Sequence, residues 1–210
     1  MLKDKKLLFA AWACENKQYT TYQLWYDPLK KIFDHIVFFD PQKNIYLHGQ
    51  NGMNKKFLEV IEREVPDYIF MWLHTDEFYI DTLVEIKRIN PQLKIINFFG
   101  DDDIMFDHFT RYYALLFDGC LVFPQLDPEK YEKESIKNYF FTCGVNLNSS
   151  RSLPVKKEYD VTFIGIAKQS RYGLVKYLLD HGINIKVFGG GWYRFSKLKD
   201  VYGGYLDQKQ

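Results

Sequence analysis

The residue types best suited to chemistry in this chain fall in one run, Asn97-Phe98-Phe99-Gly100-Asp101-Asp102-Asp103, where three carboxylates follow a short apolar segment. Neighbouring acids repel, so a proton is held more firmly in such a cluster unless a cation or solvent relieves it. A carboxylate tuned in this way serves as a general base. Asp101 and Asp102 are therefore candidate catalytic residues. Two other readings stay open: an acidic turn capping a helix that starts near Phe106, and a seat for an oxygen-loving cation, which two acids one residue apart would suit. The sequence places no further acid or His beside the run, so no metal ligand is assigned. His74, just past the apolar segment 68–73, is a further candidate base, with a purely structural histidine as its alternative. Downstream, Asp107 and Arg111 stand four residues apart and are expected to pair on one helical face, with His108 on the surface.

A second constellation, Gly165-Ile166-Ala167-Lys168-Gln169-Ser170-Arg171, joins a predicted strand to a predicted helix. Free N–H groups at a helix start, a hydroxyl and two cationic side chains together make an anion site suited to a diphosphate. Gly165, Lys168, Ser170 and Arg171 are the candidate binding residues, against an ordinary turn with Ser170 as N-cap. The run has neither the P-loop spacing nor the GxGxxG fingerprint. Gly189 and Gly190, with Gly191, follow the next predicted strand, where missing side chains would let a ligand reach the backbone; a flexible loop explains them equally.

These residues need elements to position them, and short apolar runs alternating with longer amphipathic stretches supply strand–helix units of a parallel sheet. Strands are predicted at 6–13, 35–39, 68–73, 94–98, 119–123 and 139–143, and helices at 21–33, 54–65, 76–89, 106–116 and 128–137. Thr75, followed by Asp76 and Glu77, reads as an N-cap with acids in the first turn, and Asn90-Pro91 closes that helix. Residues 146–158 are polar and aperiodic and read as a linker. After it come a strand at 160–165, a helix at 171–181 closed by Gly182, and a strand at 184–188; residues 193–210 offer no further strand. The fold class is thus α/β: a Rossmann-like parallel sheet with flanking helices over 1–145, and a partial second Rossmann-like βαβ unit over 159–210.

Composition narrows the class. With 28 Lys+Arg against 27 Asp+Glu the formal charge is +1, which removes the electrostatic case for nucleic acid as a main partner. Hydrophobic residues at 47% exclude a disordered chain. Cys14, Cys120 and Cys143 form no CxxC pair, which fits a reducing compartment and a cytoplasmic location. Lys3, Lys5 and Lys6 before an apolar stretch imitate a signal peptide, but a buried first strand explains the same residues, and no segment is apolar for long enough to span a membrane.

Phe98-Phe99-Gly100-Asp101-Asp102 with Phe106-Asp107 and Tyr112-Tyr113, followed by Tyr159-Asp160-Val161-Thr162-Phe163-Ile164-Gly165, Arg171, Val187-Phe188-Gly189 and Gly191-Trp192, resembles the spore-maturation-protein-like (CgeB-type) glycosyltransferases. The resemblance implies a GT-B architecture of two Rossmann-like domains, the first for an acceptor and the second for a nucleotide-sugar donor, usually with no bound metal and no cofactor beyond the donor substrate. By it Gly165, Lys168 and Arg171 would contact the donor diphosphate and Asp101 or Asp102 would face a glycan or other acceptor. The family's later donor segment has no counterpart before Gln210, so the chain is expected to be a truncated enzyme, inactive alone. Two alternatives stand beside this reading: a non-catalytic sugar- or nucleotide-binding module that self-associates or docks to a separate donor domain, and a metal-dependent transferase using Asp101–Asp103.

Overall fold

The computed structural model describes residues 2–17, 19–122, 128–136, 139–141, 154 and 156–206, with the side chains of Asp103 and Phe141 outside that description. Two compact units are present, Met1–Arg151 and Ser152–Gln210. Most of the linker region 146–158, and Cys143, lie outside the described residues.

In the first unit, β1 (Lys6–Ala11), β2 (His35–Phe39), β3 (Tyr68–Trp72), β4 (Lys94–Phe99), β5 (Gly119–Val122) and β6 (Tyr139–Phe141) form one sheet in the order β2-β1-β3-β4-β5-β6. Every pairing is parallel, as between Leu8 and Ile69 or Ile69 and Ile95. Alternation sorts the side chains between two covered faces. Leu8, Ala10, Ile69, Met71 and Ile95 pack under helices on one side, while Leu7, Phe9, Ala11, Phe70 and Phe98 pack against Trp25, Tyr26 and Leu29 on the other.

The helices depart from the sequence expectations in instructive ways. Tyr22–Tyr26 is a π-turn leading into the short α1 (Asp27–Leu29). α2 (Pro41–Glu64) begins at Pro41 rather than at residue 54, because Asp40 caps it by accepting from the Lys43 N–H at 3.0 Å and Pro41 occupies its first position; Gly49, at φ 68° and ψ 171°, then kinks it. α3 (Ile80–Ile89) starts at Ile80, and Thr75 is not its cap. Glu77 is buried there and accepts the backbone N–H groups of Thr75 (2.9 Å) and His74 (3.1 Å), which stabilises a loop where a helical first turn was expected.

Helical structure after β4 begins at Asp102 rather than Phe106 and runs as α4 (Asp102–Met105), a π-segment Phe106–Thr110, α5 (Arg111–Tyr113) and a 3-10 turn Ala114–Leu116. The π-turn displaces the i,i+4 register, so Arg111 pairs with Glu134 at 2.5 Å instead of Asp107, which lies 3.9 Å from Lys130. α6 (Pro128–Lys133) precedes β6. No helix among the described residues is long and apolar enough to cross a membrane.

The second unit holds β7 (Val161–Ile164), α7 (Gln169–Asp180) and β8 (Ile185–Phe188), with β7 and β8 parallel. The residues beyond 193 do find a partner: Tyr202 bridges Val187 in parallel, with Val187 N–H on the Val201 carbonyl (2.9 Å) and Gly203 N–H on the Val187 carbonyl (2.8 Å). Val175, Ile185, Val187, Trp192 and Leu198 form its small core.

Candidate functional site

In open parallel sheets ligands bind past the carboxyl ends of the strands, at the point where the strand order reverses. Here the reversal falls between β1 and β3, and the loops leaving β1, β3 and β4 are each tied by a polar side chain. Asp40 accepts the Ala13 N–H at 2.9 Å and so fixes the turn that presents Trp12. Asn97, fully buried on β4, accepts the Leu73 N–H at 3.2 Å, and with Glu77 it fixes the turn that presents His74. Asp102, 3% exposed, accepts the hydroxyls of Thr110 and Tyr131 and anchors the helical stretch that presents Asp101.

A cleft of about 330 Å3 opens at this edge, and His74, Asp101 and Asp102 all line it. The structure therefore brings together the three residues singled out as catalytic candidates. Their surroundings differ: Asp101 and His74 are exposed, whereas the Asp102 carboxylate is turned into the core. Burial first, and the hydrogen bond with Asp102 second, push the Tyr131 phenol well above its ordinary range, so the proton stays on the phenol and Asp102 remains an acceptor. Burial, reinforced by Asp102, likewise pushes the Cys120 thiol up to about 12. Exposure marks Asp101 as the carboxylate free to meet a ligand, and Asp102 as the residue that holds it in place.

Sequence reasoning missed the aromatic lining. Trp72 lies 5.2 Å from the His74 ring and 5.5 Å from Phe98, and Trp25 lies 4.8 Å from Phe98. Trp12 continues the row, 6.4 Å from His74 and 5.2 Å from Tyr19. The available signal was positional: Trp12 and Trp72 directly end or follow strands at the edge where ligands gather.

In the second unit α7 starts at Gln169, with Lys168 rather than Ser170 at the cap position, so the first-turn N–H groups belong to Gln169, Ser170 and Arg171. Lys168 and Ser170 are exposed. Arg171 folds back: its Nη1 donates to the Ile166 carbonyl at 2.7 Å, and its guanidinium lies 5.7 Å from the centre of the Phe163 ring. Gly165 and Gly189 meet each other. A Cβ at Gly189, whose φ is 116°, would stand 2.5 Å from the Gly165 oxygen, so chain-to-chain packing accounts for that glycine. Gly190 has open space around its Cβ direction, and its carbonyl accepts the Ala167 N–H at 2.9 Å.

No family model and no curated protein matches the chain. Among solved structures it is similar to the apo form of the lipopolysaccharide outer core galactosyltransferase WaaB, with a TM-score of 0.50 at 10% identity over 96% of this chain and 68% of that one. An ABC sugar transporter subunit from Rhodobacter sphaeroides 2.4.1 is similar at a TM-score of 0.31 and 12% identity, over 90% of this chain and 78% of that one. The first likeness, with the six-stranded parallel sheet and its flanking helices, defines a Rossmann-like fold of the GT-B type.

Proposed function

We propose that the chain belongs to a glycosyltransferase that moves a sugar from a nucleotide-sugar donor to an acceptor hydroxyl, with residues 1–145 on the acceptor side and 159–210 on the donor side. The observation that carries this reading is the cleft at the β3 and β4 carboxyl edge, which gathers Asp101 and His74 within a fold shared with a galactosyltransferase. Asp101 takes the proton of the acceptor hydroxyl, whose oxygen forms the new bond to the anomeric carbon while the bond from that carbon to the donor phosphate breaks. The electron pair leaves on the diphosphate. Lys168, the Ser170 hydroxyl, the first-turn N–H groups of α7 and an Arg171 released from Ile166 stabilise that charge, and Gly165, Gly189 and Gly190 shape the loops that carry them. The metal-dependent alternative would draw on Asp101–Asp103; the engagement of Asp102 with Thr110 and Tyr131 favours the reading without it.

A second reading, a non-catalytic module that docks through its second unit, is favoured by the apolar exposure of Ile164 (66%), at the end of β7, and of Ile166 (64%), just past it. Calorimetric titration of the chain with nucleoside diphosphates and their sugars tests the first. Saturable binding that Arg171→Ala weakens about tenfold or more, and that EDTA leaves unchanged, supports the transferase. Absence of any such binding, with concentration-dependent dimerisation in sedimentation, supports the docking module.

A further inference from the structure

Three of the chain's four tryptophans, Trp12, Trp25 and Trp72, gather at the carboxyl edge of the first sheet. With Tyr19 and His74 they form a continuous row: Tyr19 to Trp12 at 5.2 Å, Trp12 to His74 at 6.4 Å, His74 to Trp72 at 5.2 Å and Trp72 to Trp25 at 6.4 Å. The row crosses the reversal of strand order between β1 and β3, and its outer end is well exposed, Trp12 at 44% and Tyr19 at 40%. Exposed aromatics that gather beside polar groups, instead of scattering singly, mark a binding surface.

The chemistry of the row selects its ligand. At the inner end of the row, where Trp25, Trp72 and His74 line the cleft, the described lining has no Lys or Arg while Asp101 and Asp102 are present, so an anionic group there meets repulsion without compensation. The rings are linked pairwise from Tyr19 through Trp12 and His74 to Trp72 and Trp25, more ring surface than a single cationic head takes up. A neutral sugar fits both facts: the C–H bonds on one face of a pyranose carry partial positive charge and lie against the negative face of an aromatic ring. Its hydroxyls then meet the exposed Asp101 and His74.

We infer that this aromatic row is a neutral-glycan platform at least two sugars long, with Trp72 and Trp25 holding the ring nearest Asp101 and Trp12 and Tyr19 holding the next one. The inference rests on the acceptor role proposed for the first unit, and it adds the charge and the minimum length of the acceptor.

The test titrates the full chain with neutral hexose and N-acetylhexosamine monosaccharides, the corresponding disaccharides, a uronic-acid disaccharide, choline and free nucleosides, read by tryptophan fluorescence and ligand-observed magnetic resonance. Expected is a neutral disaccharide bound about tenfold more tightly than its monosaccharide, with Trp12→Ala removing that advantage and Trp12→Phe restoring part of it. Trp72→Ala should weaken monosaccharide and disaccharide alike. Circular dichroism of each variant checks folding, and the Trp12→Phe variant keeps the test decisive if Trp12→Ala unfolds. Equal affinity for one ring and two, insensitivity to Trp12, preference for the uronic acid, choline or a nucleoside, or no neutral sugar bound at all would each overturn the inference. If nucleoside diphosphate binding remains sensitive to Arg171→Ala in that case, the transferase reading survives and only the platform falls; if that binding is also missing, both fall.

Discussion

The two carboxyl edges of this chain are built by opposite means. In the first unit the loops after β1, β3 and β4 are held from below by polar side chains, Asp40 on Ala13, Asn97 and Glu77 on residues 73–75, and Asp102 on Thr110 and Tyr131. That leaves His74 and Asp101 lining a cleft with room for a ligand, and Trp12 exposed beside His74. In the second unit the loops hold each other: Gly165 N–H bonds the Phe188 carbonyl at 2.9 Å, Gly189 N–H the Gly204 carbonyl at 2.8 Å, and the Trp192 indole donates to the Gly165 oxygen at 2.7 Å. Glycine is needed where backbones touch, and what such an edge offers a ligand is N–H groups and cations. On the proposed reading, the side-chain edge takes the polyhydroxylated acceptor and the backbone edge the donor phosphate.

The contrast is most sharply broken at Gly189. Gly189→Ala places a methyl group against the Gly165 carbonyl in a strained backbone conformation, and it should destabilise the second unit by about 2–4 kcal/mol. Urea unfolding followed at Trp192 and at the first-unit tryptophans should then separate into two transitions. Gly190→Ala, with open space around it, should leave the curve nearly unchanged.

Next in size is Asp102→Ala, which leaves the buried hydroxyls of Thr110 and Tyr131 without their acceptor and should cost the first unit about 1–3 kcal/mol. Its urea midpoint falls while the second unit keeps its own.

A smaller effect is expected at the opposite end of the first sheet. There the Asp67 carboxyl is held below its ordinary range by the Lys6 N–H (2.9 Å) and the Lys5 ammonium (3.0 Å). A carboxylate depressed in the folded state contributes stability that is fully present above its unfolded value of about pH 4 and is lost as pH falls through the lower folded value. Asp67→Asn should therefore lower stability at neutral pH, leave it unchanged at the acid extreme, and flatten the acid limb of thermal melts.

The smallest effect supplies a reporter. Burial, reinforced by Asp40 for Cys14 and by Asp102 for Cys120, pushes both thiols up to about 12, so at pH 8 they should label far more slowly than an exposed thiol. Peptide mapping should show them still protected in Gly189→Ala and exposed sooner in Asp102→Ala.

Much of this architecture was legible in the residues. β2 runs over His35–Phe39 as its short apolar run indicates, and β3 and β4 differ from expectation by one residue at a terminus. The first half of α2 was hidden because Gly49 breaks its periodicity, although Asp40-Pro41 is a clear helix start. The π-turn at Phe106–Thr110 has no sequence signature, and it is what redirected Arg111 to Glu134. At the site, Asp101 and His74 were legible because each follows a strand. Asp102 was indistinguishable from its neighbour until burial separated them, and Trp12, Trp25 and Trp72 were lost among residues that are 18% aromatic and mostly core.

The central claim, that the two edges receive different parts of one reaction, is tested most directly by backbone amide and indole spectra of the full chain titrated with a nucleoside diphosphate and, separately, with a neutral disaccharide. The account predicts that the diphosphate moves the amides of residues 165–172 and that the disaccharide moves the indoles of Trp12, Trp25 and Trp72, with little overlap. Both ligands moving one common set of signals, or the diphosphate moving the first-unit indoles alone, would contradict it.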